Sequence, residues 1–411
     1  MESSKFTPYQ RLLFVFLGAA TFFEGFDFFA ITQVLPTIAS DEVFGLTEQA
    51  EGLMVAAISA GTVVAWLLVR LADRVGRRRV LSITILGYAL FTFLTGLSWN
   101  VESFTVFQFL ARIFLIGEWA TAMVYAAEEF PAARRGMVLG VLQALSGLGG
   151  IVCVALVPLL TQSPWGWRTI YFAGVIPLLL LAVARRKLKE TTRFEEQQKA
   201  GKVQQRSLFH ILSTPYRKRV LQLGLIWFVT YACSNTAVFF WKQHAMEDLH
   251  WPEPKAATTL ALAALVSMPA LFFAGKLLDL IGRRPGAAII FVLTSLGVFG
   301  AYTLEEQWAM GIALTLAVFG VSSVLPVLNA FTTELIPTEL RGDAFALANN
   351  LLGRLGYVVA PIGIGWAAHR WGDWAIAIRP TAVFPLVALG LIFWLLPETK
   401  AMDLEDSARL E

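Results

Sequence analysis

Five ionisable side chains fall inside otherwise apolar runs: Glu24, Asp27, Arg112, Glu118 and Arg354. Each costs about 2.5–3.5 kcal/mol at a bilayer centre on insertion scales, so such residues are retained for function or as ion pairs. At about 1.5 Å per helical residue, Asp27 and Arg112 share a depth on their respective runs. Glu24 and Asp27 are three apart, which places them on one helical face. Glu118 lies about 9 Å further along its run than Arg112, and Arg354 falls near the middle of a late run. Three carboxylates face two guanidiniums, and arginine does not deprotonate. If all three acids were ionised, one would lack a partner. Desolvation favours its protonated form, so the set is expected to take up a proton. The four histidines, His210, His244, His250 and His369, sit in loops or at run ends, which leaves proton handling to the carboxylates.

These groups must be held by long apolar elements. Of 411 residues, 56% are apolar and only 15% charged, with a mean hydropathy of +0.63. That leaves too little polar surface to coat soluble domains. A bilayer span needs about 20 apolar residues, and twelve runs qualify, from 12–36 to 378–396. The first is too long and too polar to be a cleaved signal peptide. With the N-terminus inside, inner loops and inner run ends hold 26 of the 33 Lys and Arg residues, and outer loops hold five. This bias places both termini in the cytoplasm. Trp99, Trp165, Trp308 and Trp371 fall at outer ends, as an interfacial belt does. A net charge of +3, with scattered basic residues, excludes nucleic acid as a partner. Two cysteines, both in apolar runs, make neither a disulfide framework nor a metal set.

The chain repeats itself. Asp73-Arg-Val-Gly76-Arg77-Arg78 recurs 206 residues later as Asp279-Leu-Ile-Gly282-Arg283-Arg284. Glu128-Glu-Phe-Pro131 through Arg135-Gly136 recurs, at the same offset, as Glu334-Leu-Ile-Pro337 through Arg341-Gly342. The chain is thus read as two six-helix halves, 1–185 and 218–411, joined by a cytoplasmic connector, 186–217. Six spans per half make the repeat parallel. The expected fold is all-α, with twelve transmembrane helices in two bundles.

Both loop motifs, and the terminal Leu396-Pro397-Glu398-Thr399-Lys400, resemble the major facilitator superfamily over essentially the whole chain. The resemblance implies a multi-pass carrier of the inner or plasma membrane that works by alternating access. It also implies a cytoplasmic gate built from Asp73, Arg77, Glu128 and Arg135, with Asp279, Arg283, Glu334 and Arg341. On chemical grounds, Asp73 and Asp279 are suited to cap a neighbouring helix N-terminus or to bind arginine. Val69 departs from the family pattern, which has glycine there for close approach of spans two and eleven; Gly275 keeps it in the second half. Gly25-Phe26-Asp27 is similar to span one of aromatic-acid, sialate and sugar proton symporters. Gly117-Glu118-Trp119 is similar to metabolite and sialate symporters, and Gly353-Arg354-Leu-Gly356 to aromatic-acid symporters.

Two solute classes follow. Arg354 would bind a carboxylate by a two-pronged contact, which makes the chain an organic-anion/proton symporter. Alternatively Trp227, Tyr231, Asn235 and Phe239, spaced by four, would line a sugar or polyol cavity with Gln143 and Asn329, and Arg354 would be structural. A drug/proton antiporter ranks third, because span five carries Ser146-Gly-Leu-Gly-Gly150 in place of a Gly-Pro element. No nucleophile–base pair, metal cluster or phosphate loop points to an enzyme or a cofactor. The expected partners are a small solute, protons and lipid, with the carrier monomeric.

Overall fold

The computed structural model describes residues 6–40, 42–184, 188–191, 195, 208–337 and 339–400. The side chains of Asp73, Arg135 and Asn235, and most of the 186–217 connector, lie outside that description.

Apolar sequence and internally satisfied backbone make helix the dominant state in a bilayer. In the first half these are α1 (Pro8–Ala39), α2 (Glu48–Val64), α3 (Trp66–Val75), α4 (Arg77–Gly96), α5 (Val101–Glu129), α6 (Ala132–Leu160) and α7 (Arg168–Ala184). In the second they are α8 (Arg217–Phe239), α9 (Trp241–Glu247), α10 (Glu253–Ile281), α11 (Arg283–Ala301), α12 (Gln307–Glu334), α13 (Arg341–Phe345), α14 (Leu355–Trp371), α15 (Trp374–Ile378) and α16 (Val383–Leu395). Among the described residues nine helices are long and apolar enough to span a membrane, and two bent pairs, α8 with α9 and the two parts of α10, qualify as broken spans. The shorter apolar helix Arg168–Val183 completes the set of twelve. Large apolar side chains such as Leu180, Phe273 and Trp394 point outward, as lipid contact requires. The bend in α10 falls beside Pro269, which removes a backbone donor.

The chain divides into two compact units, Met1–Thr37 with Val64–Gln205, and Ile38–Val63 with Arg206–Glu411. The division near 205 falls inside the connector. Ile38–Val63 groups with the second unit because α2 lies against α14: a Cβ on Gly52 would sit 2.4 Å from the Pro361 carbonyl oxygen, and one on Gly365 2.6 Å from that of Glu48. Spans two and eleven therefore do approach closely, but at Gly52 and Gly365. Val69 replaces the family glycine elsewhere on span two, and the space around Gly275 is open.

The run at 343–369 reads as one helix in the sequence, but it is interrupted. After α13, Ala346–Gly353 forms a π-helical segment, closed where the Arg354 amide donates to the Asn349 carbonyl at 3.1 Å. Such bulges in a helix commonly mark functional positions.

Candidate functional site

In the first unit, α1 and α6 touch backbone to backbone. A Cβ on Gly25 would lie 1.8 Å from the Ser146 carbonyl oxygen, and one on Gly149 1.8 Å from that of Phe22. The glycine-rich segment of α6 thus serves close packing, directly beside the turn of α1 that carries Glu24 and Asp27. Both acids are buried. Asp27 Oδ2 accepts from Thr92 Oγ1 on α4 at 3.3 Å, and the Tyr88 hydroxyl lies against the same carboxyl. Arg112, on α5, holds its guanidinium 4.5 Å over the Phe28 ring. It lies within electrostatic reach of Asp27, Glu24 and Tyr171.

The structure therefore brings Glu24, Asp27 and Arg112 together, yet Asp27 and Arg112 do not close into a hydrogen-bonded pair. Asp27 Oδ1 and Arg112 Nη1 each lack a hydrogen-bond partner among the described residues. The two groups thus act on each other through their charges without a direct contact. Glu118 is also buried; its Oε2 accepts from Thr84 Oγ1 at 2.5 Å.

In the second unit, Arg354 is 8% exposed. Its Nη1 donates to the Thr62 carbonyl at 3.3 Å, and its Nε has no partner among the described residues. Tyr231 lies near it on α8. The Tyr231 and Tyr357 rings stand 4.3 Å apart, and the Tyr231 hydroxyl donates to Asn349 Oδ1 at 3.2 Å. The result is a buried cation beside two phenols and an amide. Trp227, in contrast, is fully buried in the unit's apolar core, with Nε1 donating to Thr332 Oγ1 at 3.0 Å. Packing accounts for it. Asn329 Oδ1 is buried without a partner among the described residues, whereas Gln143 is exposed on α6.

The loop motifs build the same cluster twice. Arg77 Nη2 donates to Glu128 Oε1 at 3.0 Å, its Nη1 to the Ala72 carbonyl at 3.2 Å, and its amide to Glu190 Oε1 at 2.9 Å. Arg283 does likewise with Glu334 Oε1 at 2.8 Å, the Leu278 carbonyl at 3.0 Å and Glu398 Oε1 at 2.8 Å. Thr191 and Thr399 donate to the second oxygens of Glu128 and Glu334. Gly76 and Gly282, at φ 103° and 109°, make the turns that allow this, in a region that side chains rarely adopt.

The capping carboxylate is not the motif aspartate. Among the described residues Asp279, 74% exposed, pairs with Arg283 at 2.8 Å, while Glu190 and Glu398 cap α4 and α11. Burial raises the pKa of Glu398, but amides of Arg284, Arg283, Lys400 and Thr399 more than offset it and hold the carboxyl below its ordinary value. Both clusters close within their own unit. Among the described residues the Arg341 side chain donates to the Ile336 carbonyl, at 3.4 Å.

Tyr88, Thr92, Tyr171 and Tyr357 escaped the sequence reading. Tyr88 and Thr92 are four apart on span three, the one signal that they share a face. Tyr171 and Tyr357 resemble any buried aromatic in an apolar run. Glu51, buried at 2% exposure near the start of α2, and Glu247 in α9 were also missed, since both lie close to run ends, where charge is ordinary.

The family model of the Major Facilitator Superfamily matches residues 17–361 and 223–409. The chain belongs to the major facilitator superfamily. It is 24% identical over 411 residues to a probable 4-methylmuconolactone transporter of Cupriavidus pinatubonensis, covering 97% of this chain and 93% of the relative. It is 25% identical over 398 residues to the sialic acid transporter NanX of Escherichia coli, covering 95% of each. Among solved structures, a D-xylose-proton symporter aligns with a TM-score of 0.76 at 19% identity, covering 95% of this chain and 99% of that one. That likeness supports the two-bundle, twelve-helix fold. The protein is a multi-pass membrane transporter of a small molecule and not an enzyme.

Proposed function

We propose that this transporter is a proton-coupled symporter of a small organic carboxylate, with cytoplasmic termini, acting as a monomer. The observation that carries the solute class is Arg354: a buried guanidinium whose Nε has no partner among the described residues and whose surroundings are Tyr231, Tyr357 and Asn349. A carboxylate supplies both the missing charge and acceptors for the fork, and the phenols bound the space beside it. NanX, a relative over nearly the full chain, is named for an acid. Asp27 and Arg112 form the proton side of the mechanism. With Asp27 ionised, its field holds the guanidinium. Protonation releases that hold and frees Arg112 to move, so proton uptake and solute closure are linked.

The test is a thermal-shift screen of carboxylates, each paired with its neutral amide, against purified protein. A ligand at 100 times its Kd adds about 2.7 kcal/mol of stability. Acids are expected to stabilise and their amides not. Arg354→Lys keeps the charge but loses the planar fork and should weaken binding about ten- to hundredfold, the worth of a hydrogen bond to a charged group. Stabilisation by neutral sugars, with Arg354→Lys binding them as tightly as wild type, would sink the carboxylate reading.

A further inference from the structure

A second set of buried acids lies away from the Asp27 site, at the end of α2 that follows the α1–α2 loop. Glu51 is 2% exposed. The charged groups acting on it are other carboxylates, Glu247 of α9 and Glu48 of its own helix. Between Glu51 and Glu247 stands Gln243, whose amide touches both carboxyls. Gln243 Nε2 donates to Glu247 Oε1, and the other oxygen of Glu247 accepts from Trp374 Nε1 on α15 at 2.7 Å. Two acceptors are then left over: Gln243 Oε1 and Glu51 Oε2 are both buried without a partner among the described residues.

The neighbouring cations are already engaged. Lys242 pairs with Glu253 of α10 at 2.8 Å, and His369 of α14 pairs with Glu48 at 3.0 Å. His244 is held by Asp248 at 2.6 Å, and Asp248 in turn accepts from the amides of Trp374 and Ala375.

The Gln243 NH2 has two hydrogens and can reach both carboxyls, but it carries no charge. With the nearby cations engaged elsewhere, two buried carboxylates beside Glu48 keep their negative charges unbalanced, and Glu51 Oε2 keeps the desolvation penalty of a buried acceptor without a hydrogen. One proton on the pair relieves both.

We infer that Glu51, Gln243 and Glu247 form a second proton-binding site, occupied when α2 is packed on α9 and α14. One proton, taken from the water at that end, forms an O–H bond on Glu51 or Glu247 and leaves the buried pair with a single negative charge. Its loss to water leaves two anions and separates the helices. Packing of this end, the outer one in the orientation proposed above, is thereby proton-linked independently of Asp27. Gly52 against Gly365 is the hinge contact that the same movement opens.

Double electron–electron resonance between spin labels on Glu42→Cys and Arg370→Cys, both exposed positions, tests this in detergent without a solute. Across the titration, a single linked proton changes the near-to-far ratio by up to about tenfold per pH unit, with the near state favoured in acid. Glu51→Gln supplies the missing donor permanently and should hold the near state at every pH; Glu247→Gln should do the same. Asp27→Asn and His369→Gln should keep the wild-type pH dependence, so failure of the Asp27 mechanism leaves this one standing. The proposal is overturned if the wild-type ratio is flat with pH, if Glu51→Gln and Glu247→Gln follow the wild-type curve, or if Asp27→Asn or His369→Gln alone abolishes it.

Discussion

The two halves agree at their loop ends and disagree at mid-depth. Arg77 with Glu128 and Arg283 with Glu334 repeat at an offset of 206, with matching distances of 3.0 and 2.8 Å. The same offset takes Asp27 to Cys233, Glu24 to Thr230 and Arg112 to Val318, and takes Arg354 back to Leu148 and Tyr231 back to Gly25. None of the ionisable groups proposed for coupling or solute binding is duplicated. The loop clusters cap helices and pin helix ends, a task that each bundle needs once. The mid-depth groups perform different halves of one cycle, so each is needed in one bundle only.

The largest effect is expected where the halves differ most. Asp27→Asn keeps the side-chain shape and an oxygen for Thr92 but cannot take up a proton. Uptake of the solute found in the thermal screen should then stop at equilibration, an accumulation ratio of about 1, while exchange across the membrane continues. The motivation is the open geometry between Asp27 and Arg112. Full, protonophore-sensitive accumulation by the mutant would remove Asp27 from the coupling step and turn attention to Glu24 and Glu118.

A middle-sized effect should sharpen the likeness. The Arg77 and Glu128 side chains are 7% and 8% exposed, against 17% and 15% for Arg283 and Glu334. Removing one partner of a buried ion pair costs about 3–5 kcal/mol, and a more exposed pair is worth less. Arg77→Gln should therefore lower the unfolding temperature in detergent clearly more than Arg283→Gln, which should cost about 1–2 kcal/mol. Equal shifts would mean that burial does not set the strength of the two clusters.

The sequence carried the helices and the repeat of the loop motifs, but not the caps, which come from Glu190 and Glu398. Twelve apolar runs and two motifs at one spacing are long-range, redundant signals, and the helices follow them. It also placed Asp27 and Arg112 at one depth, because depth along a helix is a linear count. What it could not carry was direction around a helix axis. Trp227 and Tyr231 share a stripe in the sequence, yet Trp227 is core and Tyr231 meets Asn349. The π-helical segment before Arg354 was invisible for the same reason, since it depends on which carbonyl the Arg354 amide finds. Glu51 was passed over because a single acid near a run end reads as solvated until neighbouring helices bury it.

The smallest effect belongs to the most conspicuous letter of the motif. Asp279 is 74% exposed and, among the described residues, pairs with Arg283 four residues on. Asp279→Asn should change stability by less than about 0.5 kcal/mol, as exposed pairs of this spacing do. Glu398 lies outside the paired loop motifs but receives the Arg283 and Arg284 amides, both at 2.8 Å. Glu398→Gln loses the charge and one acceptor at a helix N-terminus, which costs about 1 kcal/mol. The sign with pH follows from its carboxyl being held below the ordinary value. Its contribution is present above the unfolded-state value and is lost as pH falls through the folded one. Glu398→Gln should therefore flatten the acid limb of the stability curve, and Asp279→Asn should leave it unchanged. If Asp279→Asn proves the more damaging, the motif aspartate acts through a contact that this arrangement of α10 and α11 does not contain, and the loop cluster rearranges during the transport cycle.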